Sequence, residues 1–273
     1  AILNQTPFYG EMGGEVGDTG VLINDEETIK VIDTKKENGV SVHILERIPT
    51  TPEAEFMACV DVARRRATEA NHSCTHLLDQ ALRSVLGEHV EQKGSLVTPD
   101  YLRFDFSHFE KVTPEQIRAV EYIVNERIRE DLPLQEYRDT PLEEAKKWGA
   151  IALFGEKYGD KVRIVNFGPS TELCGGTHTS ATGTIGLFKI VSESAISAGV
   201  RRIEAVTGEA AESMVYAAQD IIGSVEQIIR SPKIVQAIEK MVENNAALGR
   251  EIEEMRKEKV ASLAEHIAST VQP

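Results

Sequence analysis

The sequence predicts an α+β fold in three parts, and three observations carry that prediction. Residues 1 to about 50 alternate short strand-like runs with glycine-rich turns. The middle of the chain mixes helical periodicity with strand-like alternation, the pattern of helices set against an antiparallel sheet. From Glu209 onward the chain reads as helix. We therefore divide it into a small β-barrel (1–50), a central α+β domain (51–207) and a helical, coiled-coil-like segment (208–273).

Each element has its own signal. Ala1-Ile2-Leu3 reads as strand, and Gly10, Gly13, Gly14, Gly17, Asp18 and Gly20 then punctuate the chain. Residues 19–24, 28–35 and 39–47 read as strands. The glycine cluster is not a dinucleotide fingerprint, because no helix pattern follows it. Pro52 and Glu53 open a helical stretch that runs to Leu86. Within it Leu78, Ala81, Leu82 and Val85 recur at three- and four-residue steps, and Gly87 is a C-cap. Residues 102–106 alternate like a strand. Thr113-Pro114-Glu115-Gln116 is a helix start, with an N-cap, a first-position proline and a capping-box glutamine; that helix reaches about Asp131. Residues 134–138, 162–167, 186–192 and 200–206 read as strands, and 142–148 as a short helix. In the tail, Ile234, Ile238, Met241, Asn245, Leu248, Ile252 and Met255 follow alternating steps of four and three. This is a heptad seam with one polar member, and the skip to Val260, Leu263 and Ile267 breaks its repeat. The seam fits an intermolecular coil or an intramolecular helical hairpin.

Bulk properties narrow the function. The chain has 273 residues, 41% hydrophobic and 27% charged, which supports a packed core. Its formal net charge of −14 argues against a general nucleic-acid binder, so any such role needs a local basic patch. No apolar run approaches the roughly 18 residues of a membrane span, so no membrane partner is expected. No signal peptide is apparent, which makes a cytoplasmic location the expectation. Cys59, Cys74 and Cys174 are too few and scattered for a disulfide framework. A first residue other than Met suggests a piece of a longer protein.

Two short motifs carry chemistry. In Asn71-His72-Ser73-Cys74-Thr75-His76 the two histidines are four apart, one turn apart on one helix face. Cys174-Gly175-Gly176-Thr177-His178 repeats that spacing about a hundred residues later, with two glycines that let the backbone turn. His72, His76, Cys174 and His178 together offer three imidazoles and a thiolate, a set that favours Zn2+. Four such ligands would close a tetrahedron, whereas three would leave a place for water. Cys74 falls on the far side of the helix and reads as core. Cys59, His43, His89, His108 and His266 have no partners by sequence. A zinc peptidase of the His-Glu-x-x-His type is excluded because Ser73 stands where the glutamate base belongs.

The chain resembles the editing region of the alanyl-tRNA synthetase family. The motifs that carry the resemblance begin with Thr6-Pro7-Phe8-Tyr9-Gly10 through Gly13-Gly14-Glu15-Val16-Gly17-Asp18. The stretches His72–Leu78, Gln92-Lys93-Gly94-Ser95, Arg103-Phe104-Asp105, Cys174–His178 and Gly199-Val200-Arg201-Arg202-Ile203-Glu204 follow in the family's order. Threonyl-tRNA synthetases carry a related metal motif, but the opening and Gln92-Lys93-Gly94-Ser95 point to the alanine family. The resemblance implies a zinc-dependent editing domain over 51–207 that hydrolyses the ester joining serine or glycine to tRNA(Ala). A pocket for alanine discriminates weakly against these amino acids, so a second, hydrolytic site is needed.

The resemblance also implies roles. Thr75 would pair with a serine hydroxyl, and Gln92 would orient water or the ester. Arg103, Arg201, Arg202 and Lys93 would meet tRNA phosphates; adjacent Arg201 and Arg202 face opposite ways on a strand. A homodimer through the tail is a further expectation. The competing readings are a free-standing trans-editing hydrolase and a non-catalytic, zinc-stabilised tRNA-binding or dimerisation module.

Overall fold

Alternation of buried and exposed side chains builds the first sheet. The computed structural model describes residues 1–152 and 159–271. Strands β1 (Gly20–Ile23), β2 (Thr28–Glu37), β3 (Val40–Leu45) and β4 (Met57–Val60) pair antiparallel in the order β3-β2-β1-β4. On β2, Ile29, Val31 and Thr34 point inward, and Val31 joins Phe8 and Leu22 in a small core.

Three local expectations are corrected here. Among the described residues no ladder joins β3 to β4, so the expected barrel takes the form of an open four-stranded sheet. Ala1-Ile2-Leu3 is not a strand; Ala1 alone exchanges backbone hydrogen bonds with His43, at 2.8 and 2.6 Å. The helix expected from Pro52 begins ten residues later. Residues 57–60 pair with β1, a tertiary contact that local periodicity cannot register, and they extend the first sheet beyond residue 50.

Helix α1 (Val62–Leu86) starts at Asp61, whose side chain accepts the Arg64 N–H, and ends at Gly87, whose N–H reaches the Arg83 carbonyl. Next come β5 (Gln92–Val97), β6 (Leu102–Ser107), α2 (Pro114–Arg129), β7 (Gln135–Pro141), α3 (Leu142–Lys147), β8 (Lys161–Phe167) and β9 (Ser170–Leu173). A 3-10 turn (Thr182–Ile185), β10 (Phe188–Ser197), β11 (Val200–Thr207), α4 (Gly208–Ile229) and α5 (Ile234–Thr270) complete the order. The second sheet is β10-β11-β6-β5 and the third β7-β8-β9, and every ladder is antiparallel. The fold is thus α+β with antiparallel sheets. At α2 both capping-box bonds form, Thr113 Oγ1 accepting from Gln116 N and Gln116 Oε1 from Thr113 N.

The main core lies between α1, α2 and the second sheet, filled by Leu77, Leu78, Leu82, Phe104, Phe106, Val124 and Phe188. Residues 70–79 of α1 are all buried, because α1 contacts β5, β6 and β11 together with α2, β9 and the 3-10 turn. This central helix carries the first ligand pair.

The chain divides into two units, Ala1–Ser213 and Met214–Pro273. In the second, the helical run expected from Glu209 is interrupted between α4 and α5 at Arg230, with φ of 55°, and at Pro232, which removes a backbone donor. No residue of α5 is buried. Among the described residues no helix is long and apolar enough to cross a membrane.

Candidate metal centre

Two elements deliver the four candidate ligands. His72 and His76 sit one turn apart on the buried stretch of α1. Cys174 directly follows β9, and His178 follows the Gly175-Gly176 ribbon. One potential ligand atom from each of the four lies within 4.8 Å of the others. The Nε2 atoms of His72 and His178 stand 3.4 and 3.3 Å from Cys174 Sγ. The His76 ring centroid lies 5.3 Å from that of His72 and 4.6 Å from that of His178.

The outer nitrogens face a second layer. His72 Nδ1 is 2.8 Å from Glu15 Oε2, and His178 Nδ1 is 3.2 Å from Ser73 Oγ. His76 Nδ1 lies 3.5 Å from Glu172 Oε2, close enough for ion pairing but without hydrogen-bond geometry. Such outer partners fix the tautomer and ring direction of a metal-binding imidazole. Ser73 is fully buried, and its hydroxyl also accepts the Thr179 N–H at 3.0 Å.

The neighbouring charges stabilise a thiolate at Cys174. Burial pushes the Cys174 thiol up, but His72, His76 and hydrogen bonds from His178 and His72 overcome it and hold the thiol well below its ordinary value. Burial opposes charge on His72, yet the Cys174 thiolate and Glu15 raise its pKa to about 10. Burial, then the charge of His72, lowers His178 to about 3. A thiolate and converging imidazole nitrogens, with the outer nitrogens of His72 and His178 hydrogen-bonded, fit a thiophilic divalent ion such as zinc.

Glu15 is the residue that sequence reasoning missed. Gly14 lies so close to β5 that a Cβ there would overlap the Ser95 carbonyl oxygen. Val97 N–H donates to the Gly14 carbonyl and Val16 N–H to the Val97 carbonyl, at 2.8 and 3.1 Å. This splice carries Glu15 into the centre, where it accepts from His72, from Thr177 N at 2.9 Å and from the Thr177 hydroxyl. Gly176 must be glycine here, since a Cβ would overlap both the His72 ring and the Glu15 carboxylate. The available signal was a carboxylate inside the glycine-rich opening motif.

Beside the ligands lies a cavity of about 60 Å³ lined by Thr75, Gln92, His72, His76 and Cys174. Thr75 Oγ1 donates to the Asn71 carbonyl at 2.9 Å. Gln92 begins β5, opposite Phe106. The four basic residues expected to meet RNA do not line this cavity. Each has a carboxylate neighbour: Lys93 with Glu91 at 2.9 Å, Arg103 with Asp105 at 3.7 Å, and Arg201 with Glu193 at 2.5 Å. Arg202 grips Asp105 with two bonds of 2.6 and 2.8 Å. Arg201 stands opposite Phe106 and Arg202 opposite Asp105, so the two occupy opposite sheet faces.

Comparison with known proteins places this chain in a family. A family model described as the threonyl and alanyl tRNA synthetase second additional domain matches residues 162–204, and one for class II (A) tRNA synthetases matches residues 1–61. An alanine–tRNA ligase of Bacteroides fragilis is 58% identical over 272 residues, covering 99% of this chain. The chain belongs to the alanyl-tRNA synthetase family. Alanine–tRNA ligases of Parabacteroides distasonis and Flavobacterium psychrophilum are 56% and 47% identical over 98% and 99% of the chain. The chain spans 31% of the length of the B. fragilis and P. distasonis relatives and 32% of the F. psychrophilum one. Within this chain, the first matched segment holds Cys174 and His178 and the second holds Glu15. The candidate metal centre therefore draws on both matched segments and on α1 between them.

Proposed function

We propose that this chain is the editing region of an alanyl-tRNA synthetase and that it hydrolyses the ester linking serine or glycine to tRNA(Ala). The observation that carries the reading is one cavity bordered by His72, His76 and Cys174 of the four-residue cluster, by the Thr75 hydroxyl and by the Gln92 carboxamide. His72, His76, Cys174 and His178 would hold the ion. With all four bound the tetrahedron would be closed, so zinc would supply positive charge beside the cavity without coordinating the ester. Gln92 donates and accepts hydrogen bonds, which orients a water molecule against the ester. Thr75 already donates to the Asn71 carbonyl, so its free lone pairs accept a bond from the substrate serine hydroxyl. Water is the nucleophile in this reading. Lys93, Arg103, Arg201 and Arg202 would meet the phosphates of the tRNA acceptor end, in competition with their carboxylate partners, which favours orientation over tight binding.

The test is single-turnover deacylation of seryl-, glycyl- and alanyl-tRNA(Ala), with elemental analysis of the same protein. The expected result is about one zinc per chain, release of serine and glycine, and little release of alanine. Zinc at one equivalent with all three esters intact would instead identify a structural ion in a tRNA-binding or dimerisation module, the reading favoured by four converging protein ligands.

A further inference from the structure

The Cys174–His178 segment contains two adjacent glycines, yet it must hold two ligands in fixed positions. Glycine backbone is the least restrained in the chain, so something outside the segment has to supply the rigidity. On one side Glu15 holds Thr177. On the other, Arg163 of β8 holds Cys174 and Gly176. The Arg163 carbonyl accepts the Cys174 N–H at 3.1 Å. Its guanidinium Nη1 donates back to the Cys174 carbonyl at 3.1 Å and to the Gly176 carbonyl at 2.5 Å. One residue thus fixes both the donor and the acceptor of the ligand cysteine and bridges the glycine between.

The guanidinium is itself anchored. Nη2 donates to Glu136 Oε2 of β7 at 2.9 Å, and Arg138 pairs with the other carboxylate oxygen. The hydrogen bonds from Arg163 and Arg138 hold the Glu136 carboxyl down at about 2, so the anchor stays charged at any physiological pH. A lysine at this position would offer charge without the planar fork that reaches two carbonyls and a carboxylate together.

We propose that Arg163 is a positioning residue for the metal centre: it clamps the Cys174–Gly176 backbone so that the Cys174 thiolate and His178 converge on the histidines of α1. The inference rests on the metal reading above, but the clamp can also be observed without metal.

The experiment compares wild type, Arg163→Met and Arg163→Lys. Cobalt binding is followed by the thiolate-to-cobalt charge-transfer band, which reports the Cys174 bond. Amide hydrogen exchange is measured on the metal-free proteins. Loss of an outer partner costs on the order of 10–100-fold in metal affinity, so Arg163→Met should bind cobalt that much more weakly with a diminished band. Exchange should quicken at residues 174–177 and not in the buried stretch of α1, and Arg163→Lys should fall between the other two. Wild-type affinity, band and exchange in Arg163→Met would overturn the inference. Exchange that quickens throughout the chain, unrestored by Arg163→Lys, would overturn it too, by making Arg163 a general stability residue. If the wild type takes up no cobalt, the metal reading fails; selective exchange at 174–177 would still support the clamp, and unchanged exchange would end it.

Discussion

Serine differs from alanine by one hydroxyl, so a site that spares correctly charged tRNA has to reward that group. Thr75 directly precedes the candidate ligand His76, it borders the cavity, and its proton is committed to the Asn71 carbonyl. Thr75→Val keeps the shape and removes the acceptor, which leaves the serine hydroxyl unpaired at about 1–3 kcal/mol. Seryl-tRNA hydrolysis should slow by the corresponding factor of roughly 5–150, with glycyl-tRNA much less affected. Equal losses on both substrates would assign Thr75 to structure instead. Gln92 tests a different role at the same scale. It lies outside the ligand set, so Gln92→Ala should retain metal while single-turnover deacylation falls on the order of a hundredfold. Unchanged deacylation would remove it from the mechanism.

At the scale of elements, the site depends on a ribbon whose backbone can pass where a side chain cannot. A methyl at position 176 would strike the His72 ring and the Glu15 carboxylate, a rigid pair held by hydrogen bonds. Gly176→Ala should therefore weaken metal uptake by roughly tenfold or more, while Gly39→Ala, in an open turn with nothing within 4 Å, should leave uptake unchanged despite its positive φ. Comparable metal affinity in Gly176→Ala and wild type would show that the ribbon can yield. These dependencies also explain what could be read in advance. The four-residue ligand spacings and the Thr113 capping box are local, and both were legible. Strands β4, β5 and β9 take their identity from partners, so local periodicity reads the approach to α1 as helix and leaves Gln92 without a strand signal. Glu15 and Arg163 act on His72 and Cys174 through contacts that no spacing encodes, and Arg163 carries no local mark at all. Arg103 and Arg202 were legible as basic residues, but not as partners of a shared Asp105.

For the whole molecule, the open question is what the α5 seam meets. A hairpin within the chain would bury the seam, yet no α5 residue is buried. Met241, Leu248 and Met255 are 59, 55 and 54% exposed, and they recur at heptad spacing with Asn245 between them. We propose that a second copy of this chain covers the seam. The net charge of −14 opposes association, which makes the pairing sensitive to ionic strength as well as to the apolar stripe. Sedimentation equilibrium should show a concentration-dependent dimer that tightens with added salt. Leu248→Glu should abolish it, because a charge then has to enter the centre of the seam. Asn245→Leu should strengthen association while relaxing its register, since a polar seam residue specifies alignment at a cost in stability. A chain that remains monomeric at every concentration and salt level, in wild type and Asn245→Leu alike, would rule out the seam as a self-association surface.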